Sequence, residues 1–514
     1  MKPRPLVTTA LLIGVVFPSA FADSGPSGSS KGKEARQSNV TVSSDFGTAA
    51  PRIRQLTGQI TLAEAVNLAL RQNPDVLRAL REIERARGRV IEVRAQALPH
   101  LSLTSSYSEI DNRLTNSLAG PGNQGANSMQ NMFTQNKTWR ISLEVRQVLY
   151  SGGRVSASIE AEKLAQDALY FNLRDTLDKV VSQVRQQFST VLATRGLIGV
   201  AQESVELASQ QLRDATNRFE AGTVPKFNVL RAEVELASVR PGLIRAKNDY
   251  SIAQLQLAKT LGVNAAPDAK PSFECVGELQ ISYRTMPLVD AINLGRARRP
   301  SLKAQRQQIL VEKERLTVAR AGFKPQISVD GGVRKMSASS FGNSGGLSIN
   351  DAVTGYFLGV NGSWNIFDGL ETYGQVAQAK AKIESAIVTY EEAVLGVELE
   401  VQKSFAELQQ YRETVESQQK NVEQAREALR LSQERLGAGA GTQLEVLDAR
   451  VALTRARTIE LQARADYVRS LAEFDRATAT DTVYTEIFKD PLAVLEKKAL
   501  HKAKAPNPSD LFKP

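Results

Sequence analysis

"RFEAGTVPKFNVLRAEVELA" (218–237) and "RLGAGAGTQLEVLDARVALT" (435–454) carry one pattern twice. Each has an Ala-Gly step and then a Val-Leu pair at the same spacing, and the second copy starts 217 positions after the first. Upstream of the first copy, Leu173, Leu177, Val180, Val184, Phe188 and Val191 step by 4, 3, 4, 4 and 3, close to the α-helical period. That spacing predicts a helix over 154–220, roughly 100 Å long at 1.5 Å per residue. Ala221-Gly222 breaks it, and a returning helix is predicted over 224–261. The second copy predicts a long helix over 372–436, a break at 437–441 and a return over 442–479. Each quoted stretch is therefore the tip of a very long helical hairpin.

The duplication extends beyond the tips. "TLAEAVNLALRQNPDV" from Thr61 aligns with "PLVDAINLGRARRPSL" from Pro287, and "RAQALPHLSL" aligns with "RAGFKPQISV" at the same offset. Farther on, "VLYSGGRV" aligns with "NIFDGLET" at the tip offset, so the second copy is shorter in between. A length change confined to one place marks a surface loop. Two tandem repeats follow, 57–262 and 285–480, joined by a linker over 263–284.

Within each repeat the period changes from 3.6 to 2. Thr61 and Glu64 have capping-box spacing, and Pro99 ends a leading helix read as continuous from 61 to 97. Leu101 and Leu103 then alternate with polar residues, and so do Trp139, Ile141, Leu143 and Val145. The second repeat alternates at Ile327, Val329 and Val333, then at Tyr356, Leu358, Val360, Trp364 and Ile366. The predicted strand pairs are about 98–110 with 138–150, and about 325–336 with 356–367. These lengths cross a bilayer when tilted. The joining loops, 111–137 and 337–355, are rich in Asn, Gly, Ser and Gln. Ordinary surface hairpins would alternate equally well, but they do not call for long loops joining strands of membrane-crossing length, twice. Trp139, Tyr150, Tyr356 and Trp364 are the aromatic residues expected at the membrane–water interface. Four strands cannot close a barrel, and an open sheet in lipid would leave unpaired edges. Two chains would supply eight strands, and three would supply twelve.

The ends read differently. Lys2 and Arg4 precede a short apolar stretch, and Ala20-Phe21-Ala22 fits a cleavage site, so 1–22 is expected to be a secretory signal. Residues 23–56 read as a disordered leader, and 481–514 as a basic tail. The chain has 514 residues with a formal net charge of +10, but its basic residues are interleaved with acidic ones along helical stretches. That pattern describes a solvated helix face, so no nucleic-acid partner is expected. One cysteine, Cys275, excludes an intramolecular disulfide. His100 is replaced by Gln326 in the other repeat, and His501 stands alone. No metal-ligand set, Cys-His nucleophile or phosphate-cradling GxxxxGK loop is present, so the chain is expected to be neither an enzyme nor a cofactor binder.

Together, in order and duplicated, "TLAEAVNLALRQNPDV", "RAQALPHLSL", "RQVLYSGGR", "GVNGSWNIFDGLE" and the two tips resemble the TolC-like outer-membrane factor family, the exit ducts of bacterial efflux pumps and type I secretion systems. The resemblance covers about 57–480. It implies a mainly α chain with a membrane β-part, a homotrimer with a 12-stranded barrel in outer-membrane lipid, and a helical tunnel in the periplasm. It also implies an equatorial region built from the linker and chain ends. The implied partners are a periplasmic adaptor and an inner-membrane transporter of the RND or ABC type. Glu445 and Asp448 fall where the family often has two acidic residues facing the pore, and Asn228 is the first-repeat counterpart of Glu445. Gly222, Thr223, Pro225, Lys226, Gly439, Gly441 and Thr442 form the tip turns, with a role in adaptor docking. The best-known members latch the tip with a Tyr and an Arg, where this chain has Leu436 and Gly441. The alternative reading is a periplasmic coiled-coil adaptor or envelope scaffold, which would suit the helical hairpins but not the strand pairs. Drug efflux, metal efflux and polypeptide secretion all remain open.

Overall fold

The computed structural model describes residues 58–109, 137–263, 273–279, 281–337 and 352–480. The expected signal, leader and basic tail lie outside these residues, as does most of each long loop. In chain order the elements are β1 (Gly58–Ile60), α1 (Leu62–Gln72), α2 (Pro74–Ala95), β2 (His100–Glu109), β3 (Lys137–Tyr150), α3 (Arg154–Glu220) and α4 (Lys226–Leu261). They continue with β4 (Phe273–Cys275), α5 (Leu288–Arg298), α6 (Pro300–Arg320), β5 (Gln326–Ser337), β6 (Ala352–Ser363), α7 (Glu371–Gly437) and α8 (Gln443–Ala477). No described helix is long and apolar enough to cross a membrane, which says nothing of a barrel.

The single leading helix expected over 61–97 is two helices, and Asn73-Pro74 is the reason. Asn73 ends α1, and its Oδ1 accepts from the backbone N–H groups of Asp75 and Val76, while Pro74 takes the first position of α2. Proline suits that position because its missing N–H would have no partner there. The Asn73 side chain, 3% exposed, also donates from Nδ2 to the Thr260 carbonyl at 2.7 Å, tying the joint to the end of α4. The second repeat breaks at Arg299-Pro300, again with proline at the first position of the second helix but without a side-chain cap. The start of α1 carries the expected capping box: Thr61 Oγ1 accepts from the Glu64 N–H, and the Glu64 carboxylate accepts from the Thr61 N–H.

The two long helices organise the rest. α3 packs against α2 and α4 and also against α6 and α8, while α7 packs against α5, α6 and α8. Leading and returning helices thus share the length of each long helix, and α6 and α8 lie between α3 and α7. The six residues whose spacing predicted α3 are all buried. They meet Val66, Leu257, Leu261, Phe273 and Cys275 in one core. A second core gathers Leu302, Val401, Leu408, Tyr467 and Phe474. Each fully buried side chain of this size contributes about 1.5–3 kcal/mol relative to exposure. Toward the tips the packing thins to a small cluster of Val422, Leu453 and Ala456. Weakly buried ends of this kind open at low free-energy cost.

The linker holds to the leader side through two short parallel strands, with Gly58–Ile60 paired to Phe273–Cys275. Beside them an ionic network pins the end of α8. Asp475, its side chain 2% exposed, lies 2.9 Å from Arg185 of α3 and 2.7 Å from Arg284 of the linker. Arg299 of the α5–α6 joint donates to the Arg476 carbonyl and to Glu400 of α7, and Arg476 binds both Glu400 and Glu473. Burial alone would raise the Glu473 carboxyl, but hydrogen bonds from Arg476, Ser182 and Gln186 outweigh it and hold the group below its ordinary value.

The four long strands form one antiparallel sheet in the order β2-β3-β5-β6. The last strand runs 352–363 and not 356–367. Its pairing with β5 runs from Ala352 opposite Ser337 to Ser363 opposite Gln326. Beyond it, the Trp364 indole N–H donates to the Phe323 carbonyl, and the chain turns at Gly369-Leu370. Trp364 and Ile366 therefore continue the alternation without belonging to the ladder. The returning helices also start later than expected, at Lys226 and Gln443, and α8 ends at Ala477.

Candidate functional site: a two-faced sheet and two helical tips

The register of the sheet sorts most of its side chains by polarity, with Phe357 on the polar face and Lys335 on the apolar face as exceptions. Leu103, Leu143, Val333 and Tyr356 stand side by side, as do Leu101, Val145, Gly331 and Leu358. The opposite face aligns Thr104, Ser142, Arg334 and Gly355, and also His100, Arg146, Asp330 and Gly359. The apolar face is bare in the single chain: Leu103 is 70% exposed, Leu358 79% and Tyr356 89%. An apolar patch of this extent calls for a covering phase or partner. A bulge between Val148 and Tyr150 ends the regular pairing of β3 with β5. β2 and β6 each pair with one described neighbour only, so each leaves an edge. Of the interface aromatics, Trp139 lies opposite Tyr107 on the apolar face, Tyr150 lies opposite Ile327 beyond the bulge, Tyr356 is central on β6, and Trp364 lies just past the strand.

At the other end, both tips close by the same device. At the first, the Gly222 N–H donates to the Phe219 carbonyl and the Thr223 N–H to that of Arg218, both at 2.9 Å. At the second, Gly439 donates to Leu436 at 3.1 Å and Ala440 to Arg435 at 2.9 Å. These crossed pairs satisfy the last carbonyls of each long helix and need a left-handed residue, supplied by Gly222 (φ 72°) and Gly439 (φ 74°). Gly441 has an ordinary φ, but an added Cβ would sit 3.0 Å from the Leu436 nitrogen, so the turn is closed tightly there.

The restarts differ. Pro225 precedes α4 without a side-chain cap, and Lys226 is its first residue. Thr442 caps α8, its hydroxyl accepting from the Glu445 N–H at 3.3 Å. Glu445 lies in the first turn of α8, where negative charge suits the helix dipole. Asp448 is exposed one turn on, and Asn228 is half-buried with no side-chain hydrogen bond among the described residues. Sequence reasoning passed over Arg435. Its Nη2 donates to the Ala440 carbonyl at 3.2 Å, and its Nη1 is 3.9 Å from the Glu445 carboxylate. It braces the second tip across the turn, next to the latch position filled by Leu436. The available signal was that the quoted stretches both begin with arginine. The ionic network around Asp475 was missed as well, and no motif announces it.

Comparison with known proteins fits this geometry. The outer membrane efflux protein family model matches residues 65–263 and 291–480, one stretch in each repeat. Nodulation protein T of Rhizobium leguminosarum bv. trifolii is 23% identical over 398 residues, covering 76% of this chain and 80% of the relative. Outer membrane protein TolC of Escherichia coli (strain K12) is 23% identical over 442 residues, covering 83% and 84%. Among solved structures, the Campylobacter jejuni CmeC outer membrane channel superposes with a TM-score of 0.68 at 18% identity, covering 83% of this chain and 88% of that one. That likeness speaks for the fold: a mostly helical chain of two repeats carrying a small sheet. The chain belongs to the outer membrane efflux protein family, a family of non-enzymatic transport channels.

Proposed function

We propose that three copies of this chain form an outer-membrane exit duct, a passive channel with a gate at its periplasmic end. The observation that carries this reading is the four-stranded sheet with one bare apolar face and two open edges. In lipid every strand edge must be paired, so β6 of one copy would pair with β2 of the next. Three copies would close a 12-stranded barrel with the Leu103 and Leu101 rows toward lipid and the Arg146 and Ser142 rows toward water. The long helices would continue it as a tunnel across the periplasm. Glu445 and Asp448 would form two acidic rings at the entrance, with Asn228 on the neighbouring tip of the same chain. Rings of carboxylates attract cations and restrict passage. The brace from Arg435 to Glu445 supports a gate closed by contacts within the second tip, in place of a tyrosine latch. Gly222, Thr223, Pro225 and Lys226 at one tip, and Gly439, Gly441 and Thr442 at the other, would meet the periplasmic adaptor. The adaptor would join the duct to an inner-membrane RND or ABC transporter, which supplies the energy and selects small molecules or polypeptides. A coiled-coil adaptor leaves the bare sheet face without a role. The test is purification in mild detergent, followed by gel migration and planar-bilayer recording. A heat-resistant trimer with discrete conductance steps is expected. A monomer that is soluble without detergent and makes no channels refutes the duct.

A further inference from the structure

Between the returning helices α4 and α8, on a floor formed by α3, lies a cleft of about 570 Å³ that opens to solvent. Its size is that of a small-molecule pocket. All of its lining comes from one chain. Val239, Leu447, Val451 and Ile459 supply apolar lining. Three charged residues line the cleft: Arg450 and the exposed Arg455 of α8, and Glu235 of α4. Arg450 of α8 is half-buried, its Nη1 donating to the Gln211 side-chain oxygen at 3.0 Å, and its buried Nε–H has no hydrogen-bond partner. The Glu235 carboxylate of α4 has no hydrogen bond or ion pair among the described residues, although the residue lines the same cleft. Burial pushes the Arg450 guanidinium down from its ordinary value, against the opposing pull of Glu235. A half-buried cation whose hydrogen bond goes to a neutral amide leaves part of its desolvation uncompensated. Elsewhere on α8, Arg457 meets Glu203 and Arg464 meets Glu460.

We infer that this cleft is a binding site for a small apolar zwitterion, with its carboxylate on Arg450, its ammonium toward Glu235, and a ring or branched chain against Val239, Val451 and Ile459. An anion alone would leave Glu235 unmatched and a cation alone would meet Arg450 and Arg455, so a molecule carrying both charges is the one matched on both walls. Since α4 and α8 return from the two tips, an occupant holds those tips at a fixed spacing.

The test uses the full chain in neutral-lipid nanodiscs and 2-naphthylalanine as probe, titrated by calorimetry. One saturable site per chain is expected. The amide and the N-acetyl derivative, each lacking one charge, should bind at least fivefold more weakly. Arg450→Gln should abolish the preference for the free carboxylate, and Glu235→Gln the preference for the free ammonium. Val451→Trp, at a position 55% exposed, should fill the cleft without disturbing the fold and reduce binding at least tenfold. Absence of saturable binding up to millimolar probe overturns the inference. So does binding that Arg450→Gln and Val451→Trp leave unchanged. If the probe fails to bind while Arg450→Gln instead weakens cross-linking to a helical protein partner, the cleft is a protein-docking groove and the inference is wrong.

Discussion

Replacing Asp475 with Asn tests what holds the returning helix of the second tip to the rest of the chain. The carboxylate is 2% exposed and faces two guanidinium groups, that of Arg185 at 11% exposure and that of Arg284 at 30%. Asn keeps the shape and one acceptor but removes the charge. Removing one partner of a buried ion pair costs about 3–5 kcal/mol, because the survivor stays buried and uncompensated. Arg284 can regain water and Arg185 cannot, which places the expected loss near the lower end, about 3 kcal/mol. Large envelope proteins unfold irreversibly, so the practical measure is the unfolding rate in guanidinium followed by circular dichroism. If the network is intact until late in unfolding, Asp475→Asn should unfold roughly 100-fold faster, since each 1.4 kcal/mol is a factor of ten. Arg185→Gln should also accelerate unfolding. The double variant should be milder than the two effects combined, by roughly 1–2 kcal/mol, since neither residue then leaves a buried charge behind. Unfolding of Asp475→Asn within threefold of the parent, or strict additivity of the pair, refutes the reasoning.

Glu445→Gln combined with Asp448→Asn should raise single-channel conductance and weaken block by multivalent cations; unchanged currents would sink the acidic gate. Arg435→Gln removes an exposed brace, so stability should change by less than about 1 kcal/mol while channel openings lengthen. Leu370 has φ 72° where the first repeat has Gly153, and its side chain is 66% exposed, so Leu370→Gly should stabilise the chain by about 1 kcal/mol in chemical denaturation. Cys275 is buried and its thiol is pushed up to about 12, mainly by burial. The folded chain therefore holds this proton after the unfolded chain has lost it. Stability should be unaffected below pH about 9, then fall by up to about 1.4 kcal/mol per pH unit until about 12. Cys275→Ala should flatten that slope, and a maleimide should label Cys275 only after unfolding.

The helical body was legible because its signals are long. Six apolar residues at helical spacing located the buried face of α3, and the repeated Ala-Gly steps located both tips. Local chemistry decided what periodicity could not. The apolar period runs unbroken across Asn73-Pro74, and it is the non-helical backbone of Asn73, with the two hydrogen bonds to its side chain, that shows one helix ending and another beginning there. Alternation likewise continues through Trp364 and Ile366, because alternation records which face a residue takes and not whether its backbone is paired. At the tips, the glycine positions could be read directly. The brace from Arg435 could not, since it depends on a side chain reaching back across a turn. The network around Asp475 joins residues 185, 284, 299, 400, 475 and 476, which only the packed fold brings together.

The pairing of β3 with β5 has a consequence for how the chain reaches its final form. Tyr150 and Ile327 are ladder partners, yet the whole of α3, α4, α5 and α6 lies between them in the chain. Closing so long an excursion is entropically slow unless the intervening segment is already ordered. The docking of α6 on α3 delivers the start of β5 beside the end of β3, so the packed helices act as the jig on which the sheet is set. The order of events follows: pulsed hydrogen exchange should show the core around Val184 and Leu257 protected before the β3–β5 ladder. A chain cut after the first repeat should leave β2 and β3 as an isolated hairpin, with no second repeat to carry its register forward.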